Sequence, residues 1–214
     1  MPVTKFFIIG SLSVPASWIA LIVAFAIAYS VVRFCFGKKQ AELIGDAFFY
    51  LVVVWKLSII ITDFGSILRS PLAVIYFHGG AVGFYLGLLF IGGKVLWDLK
   101  KGRLGAEGFL ALFTGAVLVQ AVFQVMMVLL NEGEIIAQVM TVVVFTVFAV
   151  FFWMNVRKAG NWPLQLAWVF MAVHIFVAAI QPEGFIQTPL ISTLFIGLFF
   201  SVMYARKLDW GEPL

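Results

Sequence analysis

The sequence predicts an all-α, polytopic membrane protein with seven transmembrane helices. Three observations carry this: 64% of the 214 residues are hydrophobic, only 11% are charged, and the mean hydropathy is +1.11. Soluble domains carry about 25% charged residues. A single water-soluble core of this size could not cover the apolar surface of 24 Phe and 7 Trp together with the aliphatic residues. Soluble enzymes, nucleic-acid modules and disordered linkers are excluded, and no nucleic acid is expected as a partner despite a formal charge of +4. At roughly 20 apolar residues per span, seven spans take up about 140 residues, so residues 1–214 are expected to form a single seven-span integral membrane domain.

Lipid leaves only helices and closed barrels as spanning structures, and the apolar runs are too long for barrel strands of about ten residues. The predicted spans are Ile8 to Val32, Asp46 to Ile61, Leu72 to Leu96, Leu110 to Leu130, Ile135 to Met154, Pro163 to Ile180 and Phe185 to Ala205. Pro15 lies inside the first, where the missing backbone donor ends or kinks a helix, so the first true span is expected to begin near Ala16. The opening MPVTKFFIIG has no basic region followed by a small-residue cleavage site, and no removable signal peptide is expected. The one cysteine, Cys35, excludes an intramolecular disulfide and a thiolate metal cluster.

Orientation follows from the basic residues at alternate ends. Arg33, Lys38, Lys39, Lys94, Lys100, Lys101, Arg103, Arg157, Lys158, Arg206 and Lys207 all fall on one side, whereas the other has only Lys5 and Arg69. The N-terminus is therefore expected outside and the C-terminus in the cytoplasm. The outer loops carry Asp63, Glu132, Glu134 and Glu183.

At a rise of about 1.5 Å per residue, Lys56, His78, Gln124 and His174 share a predicted level about 9 Å beneath the outer boundary of the hydrocarbon. Gln120 lies a turn deeper, and Gln181, Gln187 and Thr188 line the predicted outer mouth. Ionisable groups within spans are costly and face cavities or one another, so Lys56, His78 and His174 mark a candidate polar site within reach of an outer-leaflet lipid. The plainer readings are that Lys56 snorkels or pairs with Asp63, that His174 bonds a helix carbonyl, and that the glutamines link helices. In HGGAVGFYLG, Gly79, Gly83 and Gly87 form one smooth helix face suited to close helix packing. Beside His78, the Gly79–Gly80 pair would also let a polar substrate approach the imidazole, which can accept a proton from a thiol or hydroxyl near neutral pH. No HExxH, GxSxG or P-loop is present, and two histidines without nearby carboxylates predict neither a metal site nor a cofactor.

These residues resemble the prolipoprotein diacylglyceryl transferase family, seven-span enzymes of the bacterial plasma membrane. The segment GDAFFYLVVVWKLSIIITDFGSILRSPLAVIYFHGGAVG is similar to the family's second and third spans, with Lys56 at a usual arginine, Pro71 at the proline before span 3, and His78, Gly79, Gly80 and Gly83 on the HGGxxG element. The opening IGSLSVPASWIALIVAFAIAYSVVRF is similar to the family's first stretch, with Trp18 close to an expected tyrosine. The resemblance implies transfer of diacylglyceryl from a membrane phospholipid to the cysteine of a lipobox-containing preprolipoprotein. It also implies His78 as catalytic base, with Lys56, Gly79, Gly80, Gly83, Gln124, His174 and Gln181 toward the substrate. The chain departs from the family at three arginines: Gln124 replaces the one in span 4, and His174 and Gln181 replace the two in span 6, where Ala178 stands for a glutamate. Guanidinium groups bind phosphate in a bidentate manner and neutral Gln does not replace them. A catalytically silent paralogue that binds lipid or a membrane partner is thus the alternative, and a transporter a third.

Overall fold

In the computed structural model the described residues are 3–10, 12–69, 79–158 and 160–208. Seven of their helices are long and apolar enough to cross a membrane, so the chain is an all-α, multi-pass membrane protein. The helices, in chain order, are α1 (Ala16–Cys35), α2 (Lys38–Leu57), the short α3 (Ile59–Thr62) and α4 (Phe64–Arg69), then α5 (Gly80–Lys100), α6 (Ala106–Leu130), α7 (Ile135–Asn155), α8 (Trp162–Ile180) and α9 (Thr188–Leu208).

The first predicted span is corrected at its start. Residues 8–10 and 12–15 are not helical but belong to an antiparallel hairpin of β1 (Phe6–Ile9) and β2 (Leu12–Pro15), paired Phe6 with Pro15 and Ile9 with Leu12. Gly10, at φ 65°, supplies the left-handed backbone that the tight connection needs. Pro15 sits extended at the N-cap with ψ 145°, and α1 begins at Ala16, the boundary its ring predicts. Two further edges move. α2 starts at Lys38 rather than Asp46, since a charged first turn with a Lys38–Glu42 pair at 3.8 Å is good helix former outside the apolar run. α9 starts at Thr188 rather than Phe185, with Pro189 in its first turn and Gly184 at φ 60° in the preceding turn. Of the third span, residues 72–78 lie outside the described residues.

The bundle is organised around α6, the most deeply buried span. α1 packs chiefly on α6 through Ala16, Ala20, Ala24, Ala28 and Val32, one residue every fourth position and all inaccessible to solvent. Such a stripe of small side chains lets two backbones approach closely, and in lipid it is packing rather than a hydrophobic drive that holds helices together. α2 packs on α5, and α9 on α8. Toward the end where Arg103, Arg157 and Arg206 lie, the interior is aromatic: Phe109, Phe113, Phe152, Phe200 and Tyr204 meet in tilted and edge-on pairs with centroids 4.8–5.8 Å apart. Gln120, Gln124, Thr141, His174, Gln181 and Thr193, six of the buried polar residues, are in the other half, while Thr114, Asn155 and Ser201 are buried in the aromatic half.

Candidate functional site

The structure sorts the predicted site residues into two groups. The first is at the junction of α2 with α5. The main-chain N–H of Gly79 donates to Trp55 O at 3.1 Å, and Trp55 Nε1 donates to Gly80 O at 2.9 Å, so the last turn of α2 clamps the first residues of α5. Trp55 is itself braced edge-on by Trp18, with centroids 5.8 Å apart. Ser58 is buried and its Oγ donates to Trp55 O at 2.7 Å, a bond that satisfies a hydroxyl otherwise costly at this depth. Lys56 lies between Trp55 and Ser58 and is half-buried.

Glycine is required along this seam. A Cβ at Gly79 or Gly83 would collide with Ser58 Oγ, and at Gly83 it would also lie 3.0 Å from Trp55 O. At Gly87 it would lie 2.8 Å from Leu51 Cδ1 and 3.2 Å from Leu51 O. The face formed by Gly79, Gly83 and Gly87 is therefore occupied by α2. Gly80 differs: its φ is 60° and the space beside its Cα is open. His78, the predicted base, lies outside the described residues, immediately before this clamp.

The second group is interior. Gln124 of α6 and His174 of α8, the predicted partners in depth, are in contact: Gln124 Nε2 is 2.9 Å from His174 Nε2, and His174 Nδ1 is 2.6 Å from Thr193 Oγ1 of α9. With the amide N–H donating to Nε2, the ring carries its proton on Nδ1 and donates it to the threonine hydroxyl. Phe145 of α7 stands edge-on to the imidazole at 5.2 Å, and all four side chains are within 1% of complete burial. Both ring nitrogens are thus used to tie α6, α8 and α9 together. A ligand could reach either only by displacing a helix partner. Gln181 donates to Thr141 Oγ1 at 3.1 Å, and the threonine in turn donates to Ala137 O at 2.6 Å, which joins α8 to α7. Gln120 Nε2 donates to Pro189 O at 2.6 Å.

No protein-family model, curated protein or solved structure matches this chain.

Between the two groups is an apolar cavity of about 170 Å³ enclosed by α1, α2, α5, α6 and α9. Leu51 and Phe84 line it next to the α2–α5 clamp, while Gln120 and Ser192 line it one turn from Gln124 and beside Thr193. Asn131 lies at the turn between α6 and α7. It is 5% exposed, its Oδ1 accepts from the main-chain N–H of Thr4 at 2.8 Å and of Lys5 at 3.3 Å, and Glu132 N donates to Thr4 Oγ1 at 2.8 Å. With a Lys5–Glu132 pair at 3.2 Å, the segment before the hairpin is strapped across the α6–α7 turn.

Sequence reasoning missed Trp55, Ser58, Phe145 and Thr193. Ser58 carried a signal, a lone hydroxyl two residues from a lysine at the end of a span. The others are ordinary residue types whose partners are 19 to 29 positions away, and no spacing rule reaches that far.

Proposed function

We propose that the protein handles phospholipid of the outer leaflet on a diacylglyceryl transferase-like scaffold. Its reaction is transfer of a diacylglyceryl group to a lipoprotein cysteine or related acceptor. The observation that carries the reading is the apolar cavity that begins one turn from the Trp55–Gly80 clamp, next to Lys56 and directly following His78 in the chain. An acyl chain lodged there would bring its glycerol and phosphate to the level of Lys56 and the open side of Gly80. In the reaction the acceptor thiol gives its proton to His78, a sulfur–carbon bond forms, the carbon–oxygen bond to phosphate breaks, and the phosphate-bearing headgroup leaves as its anion. Lys56 would offset that developing charge.

A second reading, a catalytically silent lipid binder, is favoured by a specific observation. Gln124, His174 and Gln181, at the positions of three family arginines, are hydrogen-bonded within the helix bundle. A transfer assay separates the two. Purified protein is offered a lipobox peptide and a panel of phospholipids, as wild type and as His78→Ala. Transfer that disappears in the variant supports the enzyme and names the donor. Absence of transfer from every lipid, with equal lipid co-purifying with both forms, assigns the binder.

A further inference from the structure

A second pocket, at the opposite end of the bundle, has a chemistry of its own. It has a volume of about 350 Å³ and is bounded by the first turn of α6, the α7–α8 connection and the last turns of α9. Arg157 and Lys158 line it, and neither is in an ion pair among the described residues. Arg157 is held in place by donation from Nη2 to Cys35 O and by stacking 4.5 Å over the Phe36 ring, which leaves most of its five N–H donors unused. Lys158 Nζ donates to Asn155 Oδ1 at 2.8 Å and lies 5.1 Å from the centre of the Trp162 ring. Glu107 lines the same pocket, its Oε2 accepting from Gln40 Nε2 at 3.2 Å, so the three charged groups leave the pocket one positive charge in excess. The first turn of α6 adds main-chain N–H groups that no side chain caps.

The independent sign of a ligand is Tyr204. It lines the pocket, is 4% exposed, and its hydroxyl is buried with no hydrogen-bond partner among the described residues. Buried hydroxyls almost always find a partner, and this one belongs to a residue that lines the same pocket as Arg157 and Lys158, which marks the pocket as a place for an acceptor. Leu110, Val156 and Pro163 complete the lining, so the pocket is apolar on one side and cationic on the other.

We propose that this pocket binds a phosphate group, carried by the headgroup of a phospholipid in the leaflet at this end of the bundle. Arg157 and Lys158 supply charge-assisted donors, and Tyr204 Oη donates a further hydrogen bond. This site is distinct from the clamp at Lys56 and does not depend on the function proposed for it.

The test is native mass spectrometry of the full-length protein titrated with phosphatidylglycerol, alone and against sn-glycerol 3-phosphate. Arg157→Gln and Lys158→Gln should each weaken one lipid-binding event about fivefold, Tyr204→Phe should weaken it about threefold, and His78→Ala should leave it unchanged. Glu107→Gln should strengthen it. Without lipid, Tyr204→Phe should melt at or above the wild-type temperature because the orphan hydroxyl is gone. The two cation variants together guard against a fold defect at Arg157, since among the described residues the Lys158 ammonium bonds only Asn155 and stacks only on Trp162. Lipid occupancy equal in wild type and in Lys158→Gln and Tyr204→Phe would overturn the proposal. Displacement of the lipid by sn-glycerol 3-phosphate would overturn the lipid source and leave a soluble phosphate ester as the ligand.

Discussion

Gly83→Ala tests the central physical claim about the α2–α5 seam, that glycine is there for contact and not for access. The new Cβ would overlap Ser58 Oγ, lie 3.1 Å from Ser58 Cβ and 3.0 Å from Trp55 O. The hydroxyl can rotate away, but only by giving up its 2.7 Å bond to Trp55 O. The carbonyl cannot move without moving α2. Overpacking of this kind costs about 1–3 kcal/mol, the lost hydrogen bond adds about 1 kcal/mol, and the better helix propensity of alanine returns about 1 kcal/mol. The net expectation is a loss of about 1–3 kcal/mol. Gly93 in the same helix is the control, since nothing lies within 4 Å of a Cβ built there, and Gly93→Ala should be neutral or stabilising by up to about 1 kcal/mol. Reversible unfolding in mixed micelles, followed by tryptophan fluorescence, reads both. Combining Gly83→Ala with Ser58→Ala should restore only part of the loss, because Trp55 O and the residue-58 Cβ stay where they are. If Gly83→Ala proved as stable as Gly93→Ala, the packing account of this glycine face would be wrong.

Two further substitutions probe the interior. His174→Ala removes the partner of both Gln124 and Thr193 and leaves a void beside Phe145, so a loss of about 2–5 kcal/mol is expected in the same unfolding assay; a change below about 0.5 kcal/mol, the range typical of surface positions, would show that the network does not hold the helices. Ala24→Leu drives a branched side chain between α1 and α6 and should cost at least about 1–3 kcal/mol, whereas Ile22→Leu on the exposed side of α1 should be silent; equal stability of the two would deny the alanine stripe its role.

Much of the fold is legible in the sequence because burial in lipid is a property of composition. Seven apolar runs yield seven long helices, and Pro15 marks the start of α1 by removing a single N–H. Where the reading slipped, local rules competed. The run from Ile8 to Pro15 is apolar enough to look like part of a span, yet Gly10 and Pro15 fold it into a hairpin. The first turns of α2 are charged, so hydropathy places the helix start too late although helix formation does not depend on apolarity. The Gly79, Gly83 and Gly87 face was visible as a period of four, and its packing reading matches the contact with α2. Depth arithmetic brought Gln124 and His174 to one level, but it carries no rotation about the helix axis. It could not say that they face one another, or that Thr193 takes the other ring nitrogen.

The sequence by itself determined that the chain crosses the membrane seven times and which residues are too polar to lie there without a reason. Only the tertiary structure decided what those reasons are. Gln124, His174 and Gln181 are satisfied by partners on other helices, because hydrocarbon offers no water to do it. Hydropathy is summed residue by residue, whereas the bonds of Gln124, His174 and Gln181 need two groups from distant parts of the chain to meet within about 3 Å, and that meeting is a property of the packed bundle alone.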